Sequence, residues 1–487
     1  MRLRPLTLDR LVTAIVFIAI FTMAVRVPAD TDTWWHLQSG RWIVENRAIP
    51  HSDPFSHTRL GQPWIDHSWL AQIILFEAYG VLKYAGLALL VAALVTAAYV
   101  SVWHQCRDGN RWLRAFTLII AATTSGVIWA ARPQVFSFAL TALVAYLLHQ
   151  FKHGRSGIIW WLPLVMLVWV NTHGGFAVGL ILMIAYLFGE TGNRLLRNQG
   201  MPWREVGRLA LVLGVCLLVV PINPNGIQMW GYPFRTVGIG VLQDFIAEWR
   251  SPDFHQLHLH PFIWMLLAAL TAIGLSGRRA DFTDLTLVAL FTYMSLLAGR
   301  NIALFALVTA PVIVRYGSSA VAQWRERMGW SVERTMVTGT RPLVPLNWAL
   351  LGLVVVAALA KISQPLSTAV NEQAQADSLP VQAVAYLKDE RPPGPIFNSY
   401  NWGGYLIWEL PDYPVFVDGR TDLYDDAFLR EYLSIVLAQD GWEEALNSRG
   451  VNVVLIEPQS VLGRLLVERP GWEQVYADEM ATIFVRK

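Results

Sequence analysis

Apolar residues in this chain come in long runs, not in the alternations of elements half-exposed to water. Runs meeting or approaching the roughly 20 residues that cross a hydrocarbon layer of ~30 Å lie near 11–27, 83–103, 115–130, 134–150, 157–170, 175–189, 208–222, 261–276, 284–298, 302–316 and 346–362. They predict about eleven transmembrane helices. Several are short for a full crossing and must tilt, extend through polar residues or end in a water-filled recess. The breaks between runs alternate in character. Arg2, Arg4 and Arg10 precede the first run, and Arg107, Arg111 and Arg114 fill the second break. Lys152 and Arg155, then Arg194, Arg197, Arg204 and Arg208, then Arg278 and Arg279, then Arg325, Arg327, Arg334 and Arg341 continue the series. Every second break is basic, which places the N-terminus inside, the C-terminus outside, and favours an odd number of spans. The first run resembles a signal peptide in its flanks but is read as an uncleaved anchor, because the Asp/Trp segment behind it makes sense held at the membrane surface.

Composition sharpens this picture. Of 487 residues, 54% are hydrophobic and only 15% charged, where a soluble chain carries about a quarter charged residues. An ordinary cytosolic enzyme, a disordered protein and a nucleic-acid binder are excluded, the last also because 38 basic and 36 acidic residues leave a net charge of only +2. Cys106 lies in a short basic loop and Cys216 in an apolar run, so no disulfide framework or thiolate metal site is expected.

The membrane part ends near residue 363, and 364–380 reads as a polar linker. Residues 381–487 have the composition of a small α/β domain on the outer side. Strands are expected at 395–397, 414–417 and 451–456, with helices at 402–410, 426–437, 441–449 and 459–468 and a final hairpin of 473–477 with 481–486. Strands 395–397 and 414–417, joined by one helix, would form a right-handed βαβ unit. Asn398, Asn401, Asp418 and Arg420 would then lie at the carboxyl ends of parallel strands, where open α/β sheets bind ligands.

Candidate chemistry gathers on the outer face, where eight of the eleven histidines fall, while the inner loops read as plain basic connectors. The first outer loop, 28–82, is the richest segment. Asp30 and Asp32 follow the first span directly and are expected to act as a general base or to hold Mg²⁺ or Mn²⁺; the competing reading is a helix cap. Trp34, Trp35 and Trp42 place 33–44 as a helix lying on the membrane, with His36 on it as a substrate- or phosphate-binding candidate. Asp53 and His67 are acceptor candidates, Asp53 also a metal candidate, against plain turn and cap roles. Asp66 or Ser68 would cap a second interfacial helix running to about Gly80. At other outer boundaries, Arg132, Arg300 and Asn301 are candidates for holding a lipid phosphate, with snorkelling as the alternative for the arginine at 132. Asn171 and His173 precede two glycines that allow close backbone approach to a ligand, and both are phosphate-binding candidates, His173 also a proton donor; a hydrogen-bonded turn explains His173 equally well. The cluster His255, His258 and His260 reads as a polar loop against the tail domain.

An acidic motif behind the first helix, interfacial helices, short spans and an outer soluble tail resemble the GT-C superfamily of membrane glycosyltransferases. That superfamily includes protein mannosyltransferases and the aminoarabinose transferases of lipid A. The likeness covers roughly residues 9–320 as architecture, although Thr31 separates acidic residues that many members carry side by side. It implies a polyprenyl-phosphate sugar donor, an acceptor (glycan, lipid or protein) outside the cytoplasm of a bacterial plasma membrane, and Asp30 and Asp32 as the acidic site, with Asp53 as a second carboxylate. Residues 398–405 and 417–424 are similar to segments of uncharacterised bacterial membrane proteins. The rival readings are a transporter or flippase of a lipid-linked saccharide and a non-catalytic scaffold with a binding tail. Convergence of Asp30, Asp32, Arg132 and His173 on one cavity would separate them.

Overall fold

The computed structural model of the protein describes residues 6–237, 240, 247–329 and 343–487. Arg2, Arg4, Arg334 and Arg341 lie outside them. Each apolar run coincides with a helix, from α1 (Leu8–Ala24) to Leu343–Leu366, and among the described residues six helices are long and apolar enough to cross a membrane. The chain is an integral membrane protein of mainly helical build.

The first outer loop departs from expectation. Helix α2 (Thr33–Asn46) forms where a surface helix is predicted, yet Trp34 and Trp35 are buried. Trp34 packs at 5.4 Å from the Tyr405 ring and 6.2 Å from that of Trp408, both in the tail. Such pairs contribute about 0.5–1.5 kcal/mol beyond area burial, so these tryptophans bind the tail domain down and are not an interfacial belt. The second surface helix does not stop at Gly80. Helix α3 (Trp69–Gln105) runs on into the membrane with a break at Lys83, whose φ of 52° and ψ of −135° redirect the axis. Gly40 allows α2 to lie on α3, since a Cβ there would sit 2.3 Å from the Gln72 carbonyl oxygen.

The expected linker is also helical, Thr368–Ala376, followed by Val381–Glu390. The tail sheet has four strands in the order β1-β2-β4-β3: β1 (Ile396–Asn398), β2 (Val453–Ile456), β3 (Trp472–Ala477) and β4 (Thr482–Arg486). Strand β1 runs parallel to β2, with Phe397 opposite Val454, and the other pairs are antiparallel. The segment 414–417 is not a sheet strand, so the predicted βαβ unit between 395–397 and 414–417 is absent. Instead Val415 pairs with the first outer loop: its N–H donates to Phe55 O at 3.2 Å and its carbonyl accepts from His57 N at 3.0 Å. An extended apolar segment whose backbone must find partners found them 360 residues away in sequence, while its next groups, Phe416 N and Val417 O, are satisfied by the Asn398 side chain at 2.8 Å each.

The basic breaks hold more than connectors. Lys152 bridges fully buried Glu190 at 2.5 Å and Asp281 at 2.6 Å, and Arg315 pairs with Asp284 at 2.7 Å. These ion pairs tie helices Gln134–Lys152, Ala177–Arg197, Phe282–Leu297 and Ile302–Arg327 together at the end remote from the tail.

Candidate active site

Helix α1 ends at Ala24, and the turn behind it aims two carboxylates at one guanidinium. Asp30 Oδ1 accepts the Asp32 N–H at 3.0 Å, fixing the spacing of the pair. Asp32 occupies the N-cap of α2 but its side chain makes no capping hydrogen bond. The carboxylates turn instead to Arg132, whose Nε lies 3.3 Å from Asp30 Oδ2 and whose Nη1 donates to Asp32 Oδ2 at 2.8 Å. Arg132 Nη2 donates to Glu248 Oε2 at 3.0 Å and to Gln134 Oε1 at 3.1 Å. Three carboxylates thus surround one cation that stands where a helix starts after Pro133.

The electrostatics follow from this crowding. Burial pushes the Asp32 carboxyl up to about 6 even though Arg132 pulls the other way. Burial would also raise Glu248, but Arg132 and Arg300 outweigh it and hold Glu248 below its ordinary value. The tail closes over the pair: a Cβ on Gly419 would lie 1.9 Å from Asp32 Oδ1, and one on Gly404 2.9 Å from Thr31 O. Trp35 Nε1 donates to the same Asp32 Oδ1 at 3.2 Å.

Two recesses flank the cluster, separated by the segment 127–132. Val127 and Ile128 face a recess of about 490 Å³ whose polar wall is Glu248, Arg250, Asp253, His258 and Arg300. Arg300 stacks over the Trp249 ring at 4.3 Å and lies 4.0 Å from a Glu248 carboxylate oxygen. Trp129, Ala130 and Ala131 face a second recess of about 260 Å³, which reaches Asp30.

The remaining sequence candidates fall into two groups. His36 is buried beside the cluster, its ring on Trp35 at 3.5 Å and its Nδ1 3.5 Å from Gln72 Nε2. His173 Nδ1 accepts from Ser137 Oγ at 2.7 Å and from Gly175 N at 3.1 Å, a hydrogen-bonded turn, with its ring 5.9 Å from that of His67. His67 lies against Tyr232, whose hydroxyl is 3.3 Å from its Nε2 and donates to Asp422 at 3.3 Å. Asn171 accepts from Trp69 Nε1 and donates to Leu167 O and Ile222 O, each at 2.9 Å, and Asn301 donates to Met294 O; both amides are engaged in tying chain segments together.

Asp53, Asp418 and Arg420 stand apart as a fully buried interlock of loop and tail. Arg420 Nη1 donates to Asp53 Oδ1 at 2.6 Å, while its Nε and Nη2 donate to the two oxygens of Asp418 at 2.8 and 2.7 Å. Asp53 also accepts from Phe55 N, Ser56 N and the Ser56 hydroxyl. Asn398 is buried and spent on Val417 O and Phe416 N, and Asn401 is exposed. Asn398, Asp418 and Arg420 are therefore buried and engaged within the protein and do not line an open sheet edge. The residues named for Mg²⁺ or Mn²⁺ do not fit a cation: Asp30 and Asp32 both point at Arg132, Asp53 points at Arg420, and among the described residues no cluster of three or more His, Cys, Asp or Glu could hold a metal.

Some members of the site escape a reading of the sequence. Glu248 sits in a long polar loop with nothing local to mark it, and its position becomes meaningful only when Arg132 is brought to it. Asp66 is buried, accepts from Gln72 Nε2 at 2.8 Å, and burial pushes it up to about 7. Its role as a helix cap is marginal, with Ser68 N at 3.4 Å.

No protein-family model matches the chain, and no curated protein matches it by sequence. Solved structures match it by fold. The oligosaccharyltransferase AglB from Archaeoglobus fulgidus, in complex with an inhibitory peptide and a dolichol-phosphate, superposes with a TM-score of 0.58 at 11% identity, over 92% of this chain and 69% of that one. The same archaeal enzyme has been solved in complex with Zn and sulfate. ArnT from Cupriavidus metallidurans bound to undecaprenyl phosphate gives 0.53 at 12% identity over 97% of both chains. The arabinofuranosyltransferase AftD from Mycobacteria gives 0.50 at 15% identity, over 99% of this chain and 42% of that one. The likeness is one of fold, and the chain carries the GT-C fold of these polytopic membrane glycosyltransferases.

Proposed function

We propose that the protein is a membrane glycosyltransferase that moves a sugar from a polyprenyl-phosphate donor to an acceptor on the tail-domain side of the membrane. The observation that carries this reading is the pair Asp30 and Asp32 held by Arg132 directly beside a recess that presents Arg250 and Arg300. The alternation of basic breaks supports eleven crossings with the N-terminus inside and the tail domain, 381–487, outside the cytoplasm of a bacterial plasma membrane.

In this reading the acceptor hydroxyl gives its proton to a carboxylate as its oxygen attacks the anomeric carbon. The bond from that carbon to the phosphate oxygen breaks, and the electron pair leaves on the polyprenyl phosphate. Asp30 is the base, since it lines an open recess; Asp32 fixes Arg132 and Trp35. Arg132 is neutralised by three carboxylates and serves as the positioning cation. The leaving phosphate is assigned to the recess lined by Arg300, Arg250 and His258, whose N–H groups can donate to its oxygens.

Loss of a general base lowers turnover by about 10²–10⁴-fold. Asp30→Asn and Asp32→Asn, each in reconstituted full-length protein, are therefore expected to abolish most release of polyprenyl phosphate from a sugar-linked donor panel. Full release in the double variant would overturn the assignment. A flippase would move the intact donor across the bilayer and release no polyprenyl phosphate.

A further inference from the structure

The end of the bundle remote from the tail holds a recess of about 330 Å³ that no part of the transfer reading uses. Two helices supply its side chains with helical regularity. His149 and His153 stand four residues apart at the end of helix Gln134–Lys152. Arg315, Ser318, Ser319 and Ala322 fall at i, i+3, i+4 and i+7 along helix Ile302–Arg327, and so share one face of it. The connection before helix Phe282–Leu297 adds Arg278, and the turn after α3 adds Gly109 and the carboxylate of Asp108. That turn closes tightly on the arginine-bearing helix. Asn110 N donates to Ser318 Oγ at 2.8 Å, and a Cβ on Gly109 would lie 2.3 Å from Val314 Cγ1. The recess is therefore fixed by packed elements.

Its polar groups are mostly donors that lack acceptors. Arg315 Nη1 donates to Asp284 at 2.7 Å, and its Nη2 lies 3.4 Å from His149 Nδ1. A guanidinium nitrogen only donates, so His149 Nδ1 accepts and the ring proton stands on Nε2. His153 Nδ1 faces the His149 carbonyl oxygen at 2.7 Å and donates to it. Ser318 Oγ accepts from Asn110 N and keeps its own hydrogen to give. Among the described residues His149 Nε2, the Ser318 hydroxyl hydrogen and the Arg278 guanidinium have no partner. Arg278 and His153 are exposed, while His149, Arg315 and Ser318 are half-buried, so a solute can reach them. The local charge is positive on balance: Asp108 and Asp284 stand against Arg278 and Arg315, and exposed Arg107 and Arg279 adjoin the lining residues in the chain. An apolar ligand would leave these donors unpaired, and a cation would meet the arginines. An oxyanion with several acceptor oxygens satisfies them together.

From this juxtaposition we infer that the recess is a phosphate-binding site, at the opposite end of the bundle from the paired carboxylates. His149 Nε2, the Ser318 hydroxyl and the guanidinium groups of Arg278 and Arg315 donate to the phosphate oxygens. The same chemistry is offered by the headgroup of an anionic phospholipid and by soluble phosphate, and basic recesses between membrane helices are a recurring place for such headgroups. The occupant joins the ends of helices Gln134–Lys152 and Ile302–Arg327 to the connection that carries Arg278.

A binding experiment tests this without requiring turnover, so its outcome is separate from that of the transferase reading. Full-length protein in a maltoside detergent is titrated with dihexanoyl phosphatidylglycerol. Adducts are counted by native mass spectrometry, and hydrogen exchange locates the protected segments. One saturable adduct is expected, with slowed exchange over residues 149–157 and 276–280. Arg278→Glu should weaken it by about ten-fold or more, the share of one hydrogen bond to a charged group. Arg279→Glu makes the same change of net charge one residue outside the lining and should leave binding nearly unchanged. Ala322→Trp, at an exposed position of the lining, should obstruct the recess and weaken binding several-fold. Displacement by an equal concentration of inorganic phosphate would identify soluble phosphate as the source, and resistance to it a lipid headgroup; both uphold the site. Absence of a saturable adduct overturns the inference. Equal weakening by Arg278→Glu and Arg279→Glu also overturns it, because a diffuse positive field would then account for binding. Should Arg278→Glu fail to fold, the comparison of Ala322→Trp with Arg279→Glu decides.

Discussion

Gly419 offers a perturbation whose size can be worked from the geometry. Its backbone does not occupy the left-handed region, so alanine is conformationally allowed there. The added Cβ would lie 1.9 Å from Asp32 Oδ1 and 3.0 Å from Trp35 Nε1. Ordinary contact begins near 3.4 Å, so the tail loop or the carboxylate must retreat by about 1.5 Å, and misplacement of about 1 Å at a reacting centre costs on the order of 10²-fold in rate. Overpacking of this kind also costs about 1–3 kcal/mol, too little to unfold the domain. Gly419→Ala should therefore lower the turnover of polyprenyl phosphate release by about 10²-fold while the tail remains resistant to limited proteolysis. The control is Gly471→Ala, a tail position with no heavy atom within 4 Å of the new Cβ, which should leave turnover unchanged. Wild-type turnover in Gly419→Ala would refute the claim that the tail positions the carboxylate pair.

Two further outcomes follow from the same cluster and its neighbour. Arg420→Met leaves the Asp53 and Asp418 carboxylates unpaired in a fully buried site, where removal of one partner costs about 3–5 kcal/mol; tail release under limited proteolysis should begin at a markedly lower temperature than in the parent protein. Asp32 should take up a proton as pH falls through about 6, the value to which burial raises it, and lose its hold on Arg132, so transfer should decline on the acid side near there. The stability sign is opposite: with its folded value above the ordinary 3.8, Asp32 costs stability as pH rises from about 4 to 6, and thermal unfolding should show that loss vanish in Asp32→Asn.

The helices were legible because burial in lipid demands continuous apolar runs, and every run became one. Helices of the tail were likewise marked by their own periodicity and caps, as Asp425 accepting from Phe428 N illustrates. What could not be read was partnership at long range. Trp34 and Trp35 carry the composition of a surface belt and are buried only because the tail lands on them. Val415 has the pattern of a central strand, and its pairing with Phe55 and His57 is set by a loop no local rule connects to it. Asp30 and Asp32 were found from their place behind a helix. Their common tie to Arg132, and the role of Glu248, depend on a charge balance spread over 218 residues.

The contact between Asp53 and Arg420 joins positions 367 residues apart. Its consequence is temporal. During synthesis Asp53 emerges long before its buried counter-charge Arg420 exists, and the turn that carries Asp30 and Asp32 is made long before the tail residue Gly419 that covers Asp32. Completion of the site is therefore among the last events of biogenesis, and on the transferase reading proposed above a chain interrupted before the tail is expected to show no turnover.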